Sequence, residues 1–194
     1  MKLFLSSMTV TLLTLSAAGA GPTTAPSPVP EIKWGPLLNK NGGFEDGKSL
    51  YHMTRPIAAQ IDAEVVYRGQ HSLRLQGEGV ESGDNNICVQ GLAVSSLTPT
   101  TRFLLRVAVK AQNVNPEFPP SAQLIGGIGK DSTQYFFPEN TALVIRNDCD
   151  WKVMEVVVSE LPKDLTKLGF WLQLPKQSKA TVWFDDVEVR RSDK

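Results

Sequence analysis

The chain has 194 residues, and its 20 Lys and Arg balance 20 Asp and Glu, so its formal charge is zero. That balance leaves no basic face to displace counterions, which excludes a general nucleic-acid binder. An apolar content of 41 % is too high for a disordered chain, and the length fits one ordinary domain or one large β domain.

The first twenty residues read as a targeting segment. Lys2 is a short positive region, Leu3 to Leu15 is mostly apolar, and Ala18-Gly19-Ala20 is a small-residue cleavage signature. Residues 1–20 are therefore expected to be a signal peptide, cut before Gly21. The mature protein would be secreted, periplasmic or held at the cell surface. The apolar run is short and polar for a membrane span, which needs about 20 mostly apolar residues. Gly21 to Pro30 reads GPTTAPSPVP, with four prolines in ten residues, and is expected to be a semi-rigid linker. The folded domain is expected over residues 31–190, with 191–194 as a C-terminal tail.

Beyond the linker the pattern is of strands. Gln60–Tyr67, His71–Gln76, Asn86–Leu92, Phe103–Lys110, Ala122–Ile128, Thr141–Arg146, Trp151–Val158, Gly169–Leu174 and Val182–Val189 are apolar or alternate with period two. Gly and Pro clusters at Arg68-Gly69-Gln70, Gly77-Glu78-Gly79, Ser82-Gly83-Asp84 and Pro116–Pro120 break them apart. Only Leu161–Lys167 has a helical look, and Pro162 limits it to about one turn. The expected fold is all-β, an antiparallel β-sandwich built from about nine or ten short strands.

Chemistry-bearing residues are few. Cys88 and Cys149 are the only cysteines. In an exported chain they either form a disulfide or remain two buried free thiols. Two Cys and two His without C-x-x-C or H-x-x-H spacing do not make a zinc cluster. No G-x-S-x-G elbow is present. Gly126-Gly127-Ile128-Gly129-Lys130-Asp131 is not a phosphate loop, because Leu124 stands at the first glycine position and Asp131 replaces Ser or Thr. Paired carboxylates carry more. Asp185-Asp186 lies inside the last apolar strand, so at least one of the two points inward and needs a partner. Glu45, in Asn41-Gly42-Gly43-Phe44-Glu45-Asp46-Gly47, is its possible companion. Such a pair is either a calcium site or a hydrogen-bonded turn without metal.

In order along the chain stand Gly-Phe-Glu-Asp-Gly from Gly43, Tyr67-Arg68-Gly69-Gln70-His71-Ser72-Leu73-Arg74-Leu75, Val89-Gln90, Leu97-Thr98-Pro99, a strand led by Trp151, and Trp183-Phe184-Asp185-Asp186-Val187. This order resembles the galactose-binding-like jelly-roll modules, and most of all the carbohydrate-binding modules of families four, nine, sixteen and twenty-two. The resemblance runs from about Asn39 to Val189. It implies a β-sandwich with a structural calcium ion held by Glu45 and Asp185, with backbone oxygens around Gly69–Ser72 as additions. It also implies non-catalytic binding of a polysaccharide or oligosaccharide by aromatic rings and amides on a concave sheet.

On that reading Trp171 is the stacking platform, because it faces away from the apolar Phe170, Leu172 and Leu174 and shares a face with Gln173. Gln90 is expected on the same concavity, and Tyr135 and Phe136 in a turn-rich segment beside it. Trp151 and Trp183 are expected in the core. The partner would be neutral, bound by stacking and hydrogen bonds. Two further readings are a structural or protein-interaction sandwich and, less favoured, a small glycoside hydrolase or lyase using Asp185 and Glu45. Nothing in the sequence sets the oligomeric state.

Overall fold

The structure is a computed structural model that describes residues 32–55, 58–80, 85–92, 97–98, 100–128, 134–136, 141–159, 161–162 and 164–193. The expected signal peptide and linker lie outside these residues. Eleven strands are described: β1 (His52–Met53), β2 (Ala59–Asp62), β3 (Ser72–Gln76), β4 (Asn86–Leu92), β5 (Arg102–Gln112), β6 (Ser121–Ile128), β7 (Gln134–Phe136), β8 (Leu143–Val144), β9 (Cys149–Val158), β10 (Leu165–Leu174) and β11 (Thr181–Ser192). They form two antiparallel sheets, with no helix among the described residues. The six-stranded sheet has the order β1-β4-β10-β6-β7, and β8 pairs with β6. The five-stranded sheet has the order β2-β3-β11-β5-β9. This is the expected antiparallel β-sandwich of jelly-roll type.

The period-two patterns decide which side chains meet between the sheets. Phe170, Leu172 and Leu174 from β10 face Leu73, Leu75, Val107, Val109, Val182 and Phe184 from the other sheet, all buried. Phe44 joins this core from the loop before β1, and its ring lies 5.1 Å from that of Tyr51, which in turn meets Phe170 edge-on at 6.1 Å. The first loop is thus anchored by an aromatic side chain and not by a strand.

The same loop is also tied to a bulge in β11 between Asp185 and Glu188. Asn39 Nδ2 donates to the Val187 carbonyl at 2.7 Å, and the Val189 N–H donates to Asn39 Oδ1 at 2.7 Å. The Val187 N–H donates to the Gly42 carbonyl at 3.0 Å. Further out, the Gly35 N–H donates to the Arg191 carbonyl at 2.8 Å, and Leu37 forms a bridge with Arg190. The bulge leaves backbone groups that its strand neighbours cannot satisfy, and the side-chain amide of Asn39 stands in for a missing strand.

Several sequence expectations change. Leu165–Lys167 is the start of β10, not a helical turn. The Leu165 N–H donates to the Pro162 carbonyl in a tight turn, and pairing with β6 starts at once. Arg191 and Ser192 belong to β11, where they pair with Phe103 and Arg102, so the ladder takes up half of the expected tail. Gln60–Tyr67 shortens to Ala59–Asp62, because the Asp62 carboxylate accepts the N–H groups of Glu64 and Val65 and turns the chain.

The disulfide alternative also falls. Cys88 and Cys149 are free thiols. Cys88 lies in β4, buried against Leu172, while Cys149 lies opposite Ala111 at the start of β9. β3 packs over β10, β5 over β6 and β9 over β8, which puts β4 and β9 at opposite lateral ends of the sandwich. A disulfide needs Cα atoms within about 7 Å, and strands this many places apart cannot meet that.

Candidate functional site

The strand registers fix which residues share the outer face of the six-stranded sheet. Trp171 lies between Val89 of β4 and Gln123 of β6. Gly169, one row along, lies between Gly91 and Ile125. Gln173, on the other side, lies between Ile87 and Ser121, and Lys167 pairs with Gly127. Rows on one face are about 7 Å apart along a strand. The result is a half-buried indole flanked by an aliphatic side chain and an amide, with a second amide on one side and a glycine-floored depression on the other.

That depression is lined by Val89, Gly91, Ile125, Gly127, Lys167 and Gly169 and has a volume of about 170 Å³. Its floor is low because three strands contribute glycine. A Cβ on Gly169 would come within 2.8 Å of the Gln90 carbonyl, so this position is closed to larger residues. A Cβ on Gly91 would meet nothing within 4 Å, because Gly91 opens to solvent.

The outer face of the five-stranded sheet differs in kind. Arg74 pairs with Asp62, Arg106 and Arg190 with Glu188, and Lys110 with Asp150 at 2.7 Å. Trp183 lies on this face too, only 6 % exposed, with its indole N–H donating to Asp62 Oδ2 at 2.9 Å. It is buried as expected, yet outside the inter-sheet core. Trp151 is half-buried and packs on Tyr67 with ring centroids 5.7 Å apart. That places it on the protein rim, where the sequence reading had it in the core.

Of the expected ligand residues, Trp171 and Gln173 share one outer face. Gln90 does not join them. It is paired with Phe170, so its side chain enters the inner face, 5 % exposed. There its amide holds the Lys40 backbone from both sides, accepting from the N–H and donating to the carbonyl, each at 3.0 Å. Adjacent strand residues point to opposite faces, and in Val89-Gln90 it is Val89 that points out. Tyr135 and Phe136 occupy β7 positions opposite Gly127 and Gly126, and their side chains lie outside the described residues. Gln123 was missed. The alternation of Ala122 and Leu124 marks it as outward-facing, but only the register places it beside Trp171.

Glu45 and Asp185 converge on the 67–72 turn from the first loop and from β11. Asp185 Oδ2 accepts the N–H groups of Tyr67 and Arg68 at 3.0 Å each, and Oδ1 accepts the Asp186 N–H at 2.6 Å. Glu45 Oε1 accepts the N–H groups of Gln70 at 2.8 Å and His71 at 3.4 Å, and Oε2 lies 3.2 Å from His71 Nδ1. Gly69 has φ +78°, and the Glu45 carboxylate fills the space its Cβ would need. The turn therefore presents N–H donors to the carboxylates, where backbone oxygens around Gly69–Ser72 were expected.

Burial pushes the Asp185 carboxyl above its ordinary value, against the N–H donors of Arg68, Asp186 and Tyr67. The N–H of Gln70 holds exposed Glu45 below its ordinary value, with His71 adding to the effect. The nearby cation Arg68 pairs with Asp186 at 3.1 Å, and Asp185 has no ion pair among the described residues. A fully buried carboxylate without a cation suits a hard ion, and both donor groups are oxygens. In number the set is short, since no group of three or more His, Cys, Asp or Glu side chains converges among the described residues. The shell of about 6–8 oxygens that calcium takes would need main-chain carbonyls and water as well.

No protein-family model and no curated protein sequence matches the chain. Solved structures do. A family 16 carbohydrate-binding module is similar at TM-score 0.59 and 20 % identity, over 78 % of this chain and 98 % of that one. The CBM22-1 xylan-binding domain of Paenibacillus barcinonensis Xyn10C is similar at TM-score 0.54 and 18 % identity, over 84 % and 99 %. TmCBM61, solved with β-1,4-galactotriose, is similar at TM-score 0.54 and 11 % identity, over 80 % and 98 %. The chain thus has the jelly-roll fold of the carbohydrate-binding modules, spanning nearly the whole of each.

Proposed function

We propose that the chain is an exported, non-catalytic glycan-binding module whose ligand lies across the outer face of the six-stranded sheet. The observation that carries this reading is the contrast between the two outer faces. One is dominated by paired charges, with Val153 and Val157 exposed on its edge strand. The other sets an indole beside Gln123, Gln173 and a glycine-floored depression. Sugar rings present apolar C–H faces for stacking, and their hydroxyls match side-chain amides. The fold shared with xylan- and galactotriose-binding modules supports a saccharide as the ligand class, and the features of residues 1–20 support export. Non-catalysis is supported by the carboxylate pair: Asp185 is buried, and both groups already accept main-chain N–H donors.

Calcium is the structural part of the proposal. Glu45 and Asp185 would hold it, and it would supply the positive charge that buried Asp185 lacks.

Affinity electrophoresis through gels of neutral polymers (xylan, β-1,4-galactan, glucan) and of polygalacturonate tests the reading, with calorimetry on oligosaccharides from any polymer that retards the protein. Trp171→Ala is expected to weaken binding at least tenfold, since stacking surfaces at the centre of a site dominate its affinity. Its unfolding midpoint should stay close to that of the parent. If no glycan retards the parent protein, the reading fails and a structural or protein-interaction sandwich takes its place.

A further inference from the structure

The depression beside Trp171 does not end at Gly91. A second depression of about 260 Å³, lined by Leu38, Lys40, Leu50, Gln90 and Gly91, shares Gly91 with it. Gly91 is exposed and is common to both linings, so it forms a saddle between two lobes.

The two lobes are built alike. Each has a glycine or main-chain floor, an aliphatic wall and one lysine. In the first lobe these are Gly169, Val89 with Ile125, and Lys167. In the second they are Gly91, Leu38 with Leu50, and Lys40. Neither lining contains Asp or Glu, although the chain as a whole carries as many acidic as basic residues. Both lysines are exposed, and neither ammonium has an ion pair or hydrogen bond among the described residues. On the opposite sheet Arg74, Arg106, Lys110 and Arg190 all have carboxylate partners.

Leu50 adds a second, independent observation. It is 59 % exposed and held at φ +73°, a left-handed conformation that non-glycine residues rarely adopt. Strain of this kind persists where a site uses the side chain it presents. Here it places an apolar side chain on the rim of the second lobe beside Lys40.

Given the glycan-binding reading on which it rests, we infer that the two-lobed groove binds an anionic oligosaccharide, with one sugar bearing a carboxylate or sulfate ester seated in each lobe. A pyranose with one anionic substituent has an apolar C–H face and a single negative group. Each lobe offers the complement, an aliphatic wall and a single free ammonium. This replaces the neutral ligand expected from the net charge, because the charge that matters is local to the groove.

The test compares polygalacturonate and a sulfated galactan with neutral β-1,4-galactan and xylan, by affinity electrophoresis and by calorimetry on their oligosaccharides. The two acidic polymers separate carboxylate from sulfate recognition. At least one acidic polymer should be bound more tightly than both neutral ones, and its binding should weaken as NaCl is raised from about 0.05 to about 0.5 M, where screening shortens severalfold. Lys40→Gln and Lys167→Gln should each weaken that binding by roughly two- to fivefold, the range for an exposed ion pair. Both side chains are exposed, so the variants should fold. Neutral polymers bound as well as the acidic ones, or no effect of the double variant on the acidic ones, would overturn the anionic ligand and leave glycan binding standing. Binding to none of the four would remove both.

Discussion

Asp185 ties the last strand to the 67–72 turn. Three main-chain N–H groups from two segments point at one buried carboxylate. Asp185→Ala would remove three part-buried hydrogen bonds and leave donors that water reaches only in part. We expect a loss of about 1–3 kcal/mol, or roughly 2–12 °C in Tm for a domain of this size, measured by thermal unfolding. Calcium should raise the Tm of the parent and chelation lower it, with no shift in Asp185→Ala. No calcium effect on the parent would remove the ion from the proposal. The pH dependence has two opposing parts. Asp185 has a raised folded value, so its contribution is fullest at low pH and is lost as pH rises through that value. Glu45 has a depressed folded value, so its contribution is present at neutral pH and is lost as pH falls through it, below the ordinary 4.5. The stability gap between the parent and Glu45→Gln should therefore be widest near neutrality and close on acidification, as read from urea midpoints. At this scale alternation made legible that Trp171 faces away from the core and that one carboxylate of Asp185-Asp186 points inward. The direction of Gln90 was not legible, because Cys88, Val89 and Gln90 offer no clean alternation of polar and apolar residues.

Among the elements, β10 organises the candidate site. It lies between β4 and β6, and its register aligns Gly169 with Gly91 and Ile125. No single strand contains the groove. Its floor comes from glycines in three segments far apart in sequence, and each alone reads as a weak spot in a strand. Period two therefore gave the strands and their faces, while cross-strand alignment, which depends on tertiary packing, stayed hidden. Gly91 offers a direct test, since a side chain there projects into open space. Gly91→Leu should fill the saddle between the lobes and reduce glycan binding at least tenfold. Its Tm should be unchanged or slightly higher, because an exposed strand position gains from losing glycine's flexibility. A Gly91→Leu protein that binds as the parent does would place the ligand elsewhere on the sheet.

For the molecule as a whole, the sandwich explains why the two thiols stay apart in a chain that reads as exported. Burial pushes the Cys88 thiol up to about 12, which leaves almost no reactive thiolate at neutral pH. Thiol titration of the denatured protein without reductant should find two free groups per chain, and reductant should leave the Tm of the native protein unchanged. A single mass loss of two hydrogens, with no reactive thiol, would contradict the strand order. The sequence could count the cysteines but could not pair them, because their separation depends on which strands lie at the lateral ends.

The bridge between Leu37 and Arg190 has a consequence for how the domain sits in a larger architecture. Chain entry at Gly35 and chain exit at Arg191 are hydrogen-bonded neighbours. A unit whose two ends leave side by side behaves as a single outgrowth. It can be spliced into a surface loop of a host protein without prising the host loop open. Tension applied through both ends would then open the Leu37–Arg190 bridge first, before it reached the sheet that carries the groove.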